Sequence, residues 1–211
     1  MEGTAPPANE QIASPRRAPS QQRSRERVER MLAAASALIA EQGSDAMRMG
    51  EVAERAGVSI GSLYQFFPDK RAIVWALAER HTAESQACIA AALADVSDAE
   101  GLRRAFSELV DIYYGLFLAE PVMRDIWSGT QADKALRELE LADSRANAEF
   151  LTAVLKRLRP AADPAALETT AFLIWQMGEA AMRLAISVER DEGDRLVAAY
   201  KRMALRELLL E

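Results

Sequence analysis

Residues 44–71, SDAMRMGEVAERAGVSIGSLYQFFPDKR, decide the fold. They contain two short helical patterns separated by Ala56-Gly57-Val58-Ser59, a spacing that admits only two helices meeting at a sharp angle. The first pattern runs from Met49 to Arg55, with Val52 and Ala53 facing inward. Gly57 supplies the left-handed backbone that stops it, and Ser59 is placed to accept a hydrogen bond from the first turn of the next helix. That helix runs from Ile60 to Phe67. Pro68 ends it, because proline cannot continue a helix and disfavours helical geometry in the residue before it. The pair is a helix-turn-helix, the arrangement that lays its second helix in the DNA major groove.

Within the second helix, Leu63 and Phe67 lie four apart and share one face; with Val58 they are expected in the core. Ile60, Gly61, Ser62, Tyr64, Gln65 and Phe66 remain to face DNA. Gly61 allows close backbone approach, Ser62 and Gln65 can donate to bases or phosphates, and Tyr64 can place its hydroxyl on a phosphate oxygen. Two readings of Phe66 are open: contact with a thymine methyl, or cover for the domain seam. Tyr64 has core filler as its alternative. Lys70, at the start of the following helix, is a natural phosphate contact.

The run Glu51–Lys70, EVAERAGVSIGSLYQFFPDK, resembles the DNA-binding domain of the TetR family of bacterial transcriptional regulators, with Gly57, Val58, Ser59, Gly61, Leu63, Tyr64, Phe67 and Lys70 in register. The resemblance covers residues 24–80. It departs at Arg48, where relatives usually carry a capping Thr or Ser, and at Ile60, where they often carry Lys or Arg; both positions contribute to DNA contact in relatives. The expected DNA-contacting set is therefore Arg48, Ser59, Ile60, Gly61, Ser62, Tyr64, Gln65, Phe66 and Lys70. The resemblance further implies a homodimer on double-stranded DNA, a larger C-terminal domain enclosing a small-molecule effector, and repression as the outcome. An effector-independent DNA-binding dimer and a helical protein-interaction module are the alternatives.

Outward from this stretch the chain reads as all-α. Half of its residues are apolar, aromatics are few, and Ala and Leu are abundant, a composition that favours helices. The expected organisation is a tail over 1–22, a three-helix helix-turn-helix domain over 23–70, and a larger helical domain over 71–211 for effector binding and dimerisation. The tail is rich in Pro, Ser, Gln and Ala, with no hydrophobic period. It reads either as a solvated leader or, through Arg16, Arg17, Arg23, Arg25, Arg27 and Arg30, as an arm reaching DNA. From Ser24 to Gln42, Val28, Met31, Leu32, Ala35, Leu38 and Ile39 form one helical stripe, stopped by Gly43.

The net charge of −6 is unevenly placed. Residues 16–80 hold 11 Lys and Arg against 8 Asp and Glu, whereas residues 81–211 hold 15 against 22. Basic charge thus gathers at the helix-turn-helix, and phosphate contact is a local requirement that the acidic whole does not forbid. One Cys and one His make neither an internal disulfide nor a metal site, and no cofactor is expected. Without a spanning segment or a signal-peptide pattern, the expected setting is the cytoplasm. No phosphate loop, metal cluster or nucleophile with a base at workable spacing suggests an enzyme.

Asp69 is expected to cap a fourth helix, Lys70 to Leu93, long enough to act as a lever between domains. His81 and Cys88 share one face of it about 10 Å apart, and read as packing or surface residues, with ligand contact by His81 the alternative. Helical segments follow at 99–119, Pro121–Ser128, 131–159, Pro164–Val188 and 195–210, with 191–194 a polar turn. Segment 172–188, FLIWQMGEAAMRLAISV, is apolar nearly all round, which implies burial on two sides. Its small-residue stripe Gly178, Ala181 and Ala185 would admit close helix approach, and with the last helix it is expected to form a dimer interface over 164–210. Tyr113, Tyr114, Phe117, Met123, Trp127, Phe150 and Trp175 read equally as plain core or as an effector pocket. Asp111, Gln131 and Gln176 are its candidate polar contacts, and Glu179 and Arg183, four apart, are expected to pair.

Overall fold

A computed structural model describes residues 18–119, 122–123 and 134–209. Among the described residues there are eight numbered helices and no strand: α1 (Ala18–Ala46), α2 (Met49–Ala56), α3 (Ile60–Phe66), α4 (Lys70–Ala94), α5 (Ala99–Ala119), α6 (Lys134–Leu158), α7 (Pro164–Ile186) and α8 (Arg190–Leu209). The all-α architecture is the one expected.

The local signals act as the sequence implies. Gly57 closes α2 at φ 65°, ψ 37°; its N–H donates to the Glu54 carbonyl at 3.1 Å and that of Val58 to the Ala53 carbonyl at 3.0 Å, which satisfies two carbonyls that the helix end leaves free. Ser59 caps α3, its hydroxyl oxygen accepting from the Ser62 N–H at 3.1 Å. Asp69 caps α4 by accepting from the Ala72 N–H at 2.8 Å, and Asp163 caps α7, where Pro164 sits in the first turn. Gly43 breaks α1 at φ 82° as anticipated. Helix α1 starts at Ala18, so the last residues of the expected tail are helical; residues 1–17, with Arg16 and Arg17, lie outside the described residues.

Two cores form. The N-terminal one gathers Met31, Leu32, Leu38 and Ile39 from α1, Val52 from α2, and Leu63 and Phe67 around α3. Ile73 and Leu77 of α4 complete it, and so do Val122 and Leu136 from the larger body. The expected border after residue 70 therefore cuts through a shared core. The second core packs Leu102, Phe106 and Phe117 of α5 with Leu151 and Leu155 of α6, Ala171 and Met182 of α7, and Tyr200 and Leu208 of α8. Ile89 and Leu93 of α4 enter it too. Helix α4 thus has one end in each core.

Two expectations about the C-terminal helices change. The polar residues 191–194 are the first turn of α8, not a turn between helices. Gly193 is buried because α8 starts against the end of α7, where a Cβ would collide with the Ala185 carbonyl oxygen and meet the Tyr114 hydroxyl at 2.7 Å. The stripe Gly178, Ala181 and Ala185 does admit a close approach, but to α8 of the same chain. A Cβ on Gly178 would meet the Tyr200 hydroxyl at 2.7 Å, and that hydroxyl donates to the Ile174 carbonyl at 2.8 Å.

Nothing lies within 4 Å of a Cβ built on Gly57, so a side chain there costs only backbone strain. Gly57→Ala is expected to lower stability by about 1–2 kcal/mol, with Gly57→Asn costing less; urea unfolding of the three proteins measures both.

Candidate functional site

Helix α3 presents a clean outer flank. Leu63 is fully buried, whereas Tyr64 and Ile60 are 51% and 45% exposed, and Gly61 and Gln65 are exposed beside them. Tyr64 is therefore not core filler. Phe66 is half-buried and packs on the N-terminal core, which takes it off this flank and favours its reading as cover. Arg48 is exposed at the start of α2, where it takes the N-cap position without a side-chain cap. The exposed arginines 23, 25, 27 and 30 follow the first turns of α1, and Arg27 Nη1 reaches the Ser62 hydroxyl at 3.5 Å. The start of α1 and the reading helix thus share one basic face. Lys70 is more engaged than expected: its ammonium donates to the carbonyls of Ser44 at 3.3 Å and Asp45 at 2.9 Å, tying the start of α4 to the end of α1.

The second feature is a cavity of about 520 Å³ bounded by α4, α5, α6 and α7. Its apolar wall includes Ile89, Leu109, Leu116 and Met123. Its polar wall holds His81, Ser85 and Cys88 from successive turns of α4, with Glu140 and Asp143 of α6 and Glu179 of α7. Ser36 of α1 and Leu136 and Leu139 of α6 close the end nearest the N-terminal core. Of the expected effector residues, Tyr113 and Met123 line this cavity. Tyr114 does not: it is buried where α5 meets α7 and α8, with Arg190 stacked 5.4 Å from its ring centre. Phe117 is fully buried core, edge-on to Tyr113 at 5.2 Å. Phe150 packs against the core, and Trp175 borders a much smaller void of about 50 Å³ shared with Phe106, Gly178 and Tyr200. Trp127 and Gln131 lie outside the described residues. Asp111 is drawn to the surface by Lys201, which bonds both its oxygens at 2.8 Å.

The polar wall was largely missed in the sequence. Its only sign there is the shared face of His81 and Cys88 on α4. Glu179 is 3% exposed; it accepts from the Ser144 hydroxyl at 2.6 Å and from Gln176 Nε2 at 3.3 Å. Arg183 reaches Glu140 at 2.6 Å, an ion pair that bridges α7 to α6, while its charge also acts on Glu179 within α7. Burial pushes the Glu179 carboxyl up to about 8; nearby Glu140 adds to the rise, while Ser144 and Arg183 oppose it. Asp143 is raised by burial too, against a hydrogen bond that Gln86 Nε2 donates at 2.7 Å. Burial likewise raises the Tyr113 hydroxyl, with Glu179 and Asp143 adding to it.

A third surface is apolar and bare. On α7, Leu173 and Leu184 are 56% and 50% exposed, with Met177 between them and Ala180 on the same stripe. Met203 of α8 is also exposed.

Residues 100–211 match the family model described as "Tetracyclin repressor-like, C-terminal domain", and residues 31–77 match "Bacterial regulatory proteins, tetR family". The chain belongs to the TetR family. Among curated proteins, the HTH-type transcriptional repressor KstR of Mycolicibacterium smegmatis is 48% identical over 46 residues, a match spanning 22% of this chain and 22% of that repressor. Among solved structures, a TetR-family transcriptional regulator from Streptomyces coelicolor aligns at TM-score 0.67 and 28% identity, over 88% of this chain and 97% of the other. The transcriptional regulator FadR of Bacillus subtilis, solved with stearoyl-CoA, has the same fold at TM-score 0.62 and 16% identity, over 85% and 96% of the two chains. Among the described residues of this TetR-family chain, no helix is long and apolar enough to cross a membrane.

In the folded state Glu179 keeps its proton to about pH 8, whereas the ordinary value is 4.5. The folded chain therefore binds more protons between those values, so this group's contribution is whole at the acidic end and is lost as pH rises towards 8. Asp143, also raised, acts with the same sign. The urea midpoint is expected to fall between about pH 5.5 and about pH 8.5, and Glu179→Gln to reduce that fall.

Proposed function

We propose that this chain is a dimeric transcriptional repressor that holds a pseudo-palindromic operator and leaves it when a small molecule fills the cavity between α4 and α7. The observation that carries the reading is the outer flank of α3. Ile60, Gly61, Tyr64 and Gln65 project from a helix whose opposite side is locked by Leu63, which is how a recognition helix meets base edges. Ser59 and Ser62 at its start, Arg48 on α2 and the arginines of α1 supply backbone contacts. Lys70 keeps one donor beyond its two carbonyl bonds for a phosphate, while fixing α4 to the recognition pair.

Two copies are needed to fill two half-sites, and the bare stripe Leu173, Met177, Ala180 and Leu184 with Met203 supports a pairing of α7 and α8 across a two-fold axis,. The cavity supports effector control because its walls are shared. Leu136 and Leu139 line it and also pack on the N-terminal core. A ligand that fits only when α6 and α4 move apart shifts that core, and the two α3 helices no longer match major grooves about 34–36 Å apart. That the Bacillus subtilis FadR structure carries stearoyl-CoA supports a fold with room for a ligand. The cytoplasm is the setting this reading implies.

Tyr64→Ala is expected to weaken operator binding at least tenfold, about 1.4 kcal/mol, with unchanged helix content and unfolding midpoint. A gel-shift titration at fixed salt reads it, and equal binding by parent and variant, or none by the parent, sinks the reading. Leu184→Glu is expected to give monomers by light scattering and to lose cooperative occupancy of the two half-sites; a dimer that survives this change would refute the pairing surface.

A further inference from the structure

The cavity has an electrical polarity that points to a ligand class. Four carboxyl groups face it, those of Glu84, Glu140, Asp143 and Glu179, against the basic Arg80 and His81. The basic groups already lie against carboxyls: Arg80 bonds Glu29 at 3.3 Å and lies 4.0 Å from Glu84 of the same wall, and His81 Nδ1 lies 3.9 Å from Glu84. Glu140 is matched by Arg183. Asp143 and Glu179 are held by neutral donors, Gln86 for the first, and Ser144 and Gln176 for the second. One turn beyond Asp143, the fully buried side chain of Asn147 faces that carboxyl and, like Gln86, holds it down. Ionising a buried and a half-buried carboxyl that mainly neutral side chains hold is costly in an empty protein,. It becomes favourable when a donor-rich cation enters.

We propose, resting on the effector reading above, that this cavity takes an amphiphilic amine, its apolar body along Ile89, Leu109, Leu116 and Met123 and its ammonium between Asp143 and Glu179. An ammonium offers only donors, which is what two carboxyls require. A fatty carboxylate or an acyl phosphate ester meets four carboxyls on this wall against two cations that already face Glu29 and Glu84. Binding releases protons. The groups that act on Glu179 are Glu140 and Ser144 from α6, Arg183 and Gln176 from α7, Tyr113 from α5 and Tyr200 from α8, while Asp143, His81 and Glu84 line the same cavity. Glu179 is the one among them raised to about 8. Affinity for an amine that stays charged therefore climbs as pH goes from about 6.5 to about 8.5.

The test is calorimetric titration of the full chain with decylammonium, decanoate and decanol, which share one apolar body and differ in charge. Decylammonium is expected to bind at least tenfold more tightly than decanoate, with proton release seen as a buffer-dependent enthalpy. Glu179→Gln and Asp143→Asn are each expected to erase most of that preference while leaving decanol binding in place, so the variants remain folded and competent. Decanoate binding as tightly as decylammonium, or a cation preference untouched in both variants, overturns the ligand class and leaves the cavity an effector site. If none of the three binds, the amine assignment is also overturned, and the repressor reading stands or falls on the operator experiments alone.

Discussion

The structure depends on a hydrophobic interface that crosses the border between its two halves. A helix-turn-helix unit of one long and two short helices has little apolar area to bury by itself, and small domains of that size are marginal,. This one is completed from outside. Ile73 and Leu77 come from the first turns of α4, and Val122 and Leu136 from the larger body, all 8% exposed or less. Interiors are close-packed and respond to displacement by repacking in discrete steps. The recognition pair therefore cannot be indifferent to where α4 and α6 sit. Val122 and Met123 make the point at the smallest scale: adjacent residues, one buried in each core.

Helix α4 is fixed at both its ends, by different means. At its start, Lys70 bonds two carbonyls of the α1 end and Asp69 caps the first turn. At its far end, Arg157 of α6 donates to the carbonyls of Leu93 and Val96 at 3.3 Å and 3.0 Å. Between these anchors lie His81, Ser85 and Cys88, the polar wall of the cavity.

What could be read from the sequence was whatever short-range chemistry fixes. Gly57, Ser59, Pro68, Asp69 and Asp163 act within a turn of their own positions, so their helices begin and end where the residues imply. The flank of α3 was legible because Leu63 and Phe67 fall on one face of a single helix. The cavity was not, because it is assembled from α4, α5, α6 and α7, and nothing local to Asp143 or Glu179 says that they line one cavity. The aromatic residues left two readings open for a related reason. Tyr113, Tyr114, Phe117 and Trp175 are all apolar and enclosed to some degree, yet they border one void, a helix junction, the solid core and a second small void. Burial is written in the residue type; the identity of the neighbour is not. The glycine stripe of α7 followed the same logic, since Gly178 announces a close approach but not that Tyr200 of the same chain makes it.

Cys88 is the chain's single cysteine, and it lies on the cavity wall with its thiol accessible. A maleimide-linked fluorophore would thus attach at one place only, beside the carboxyls of α6 and α7. The protein carries its own address for an optical reporter on the cavity wall, without any engineered residue.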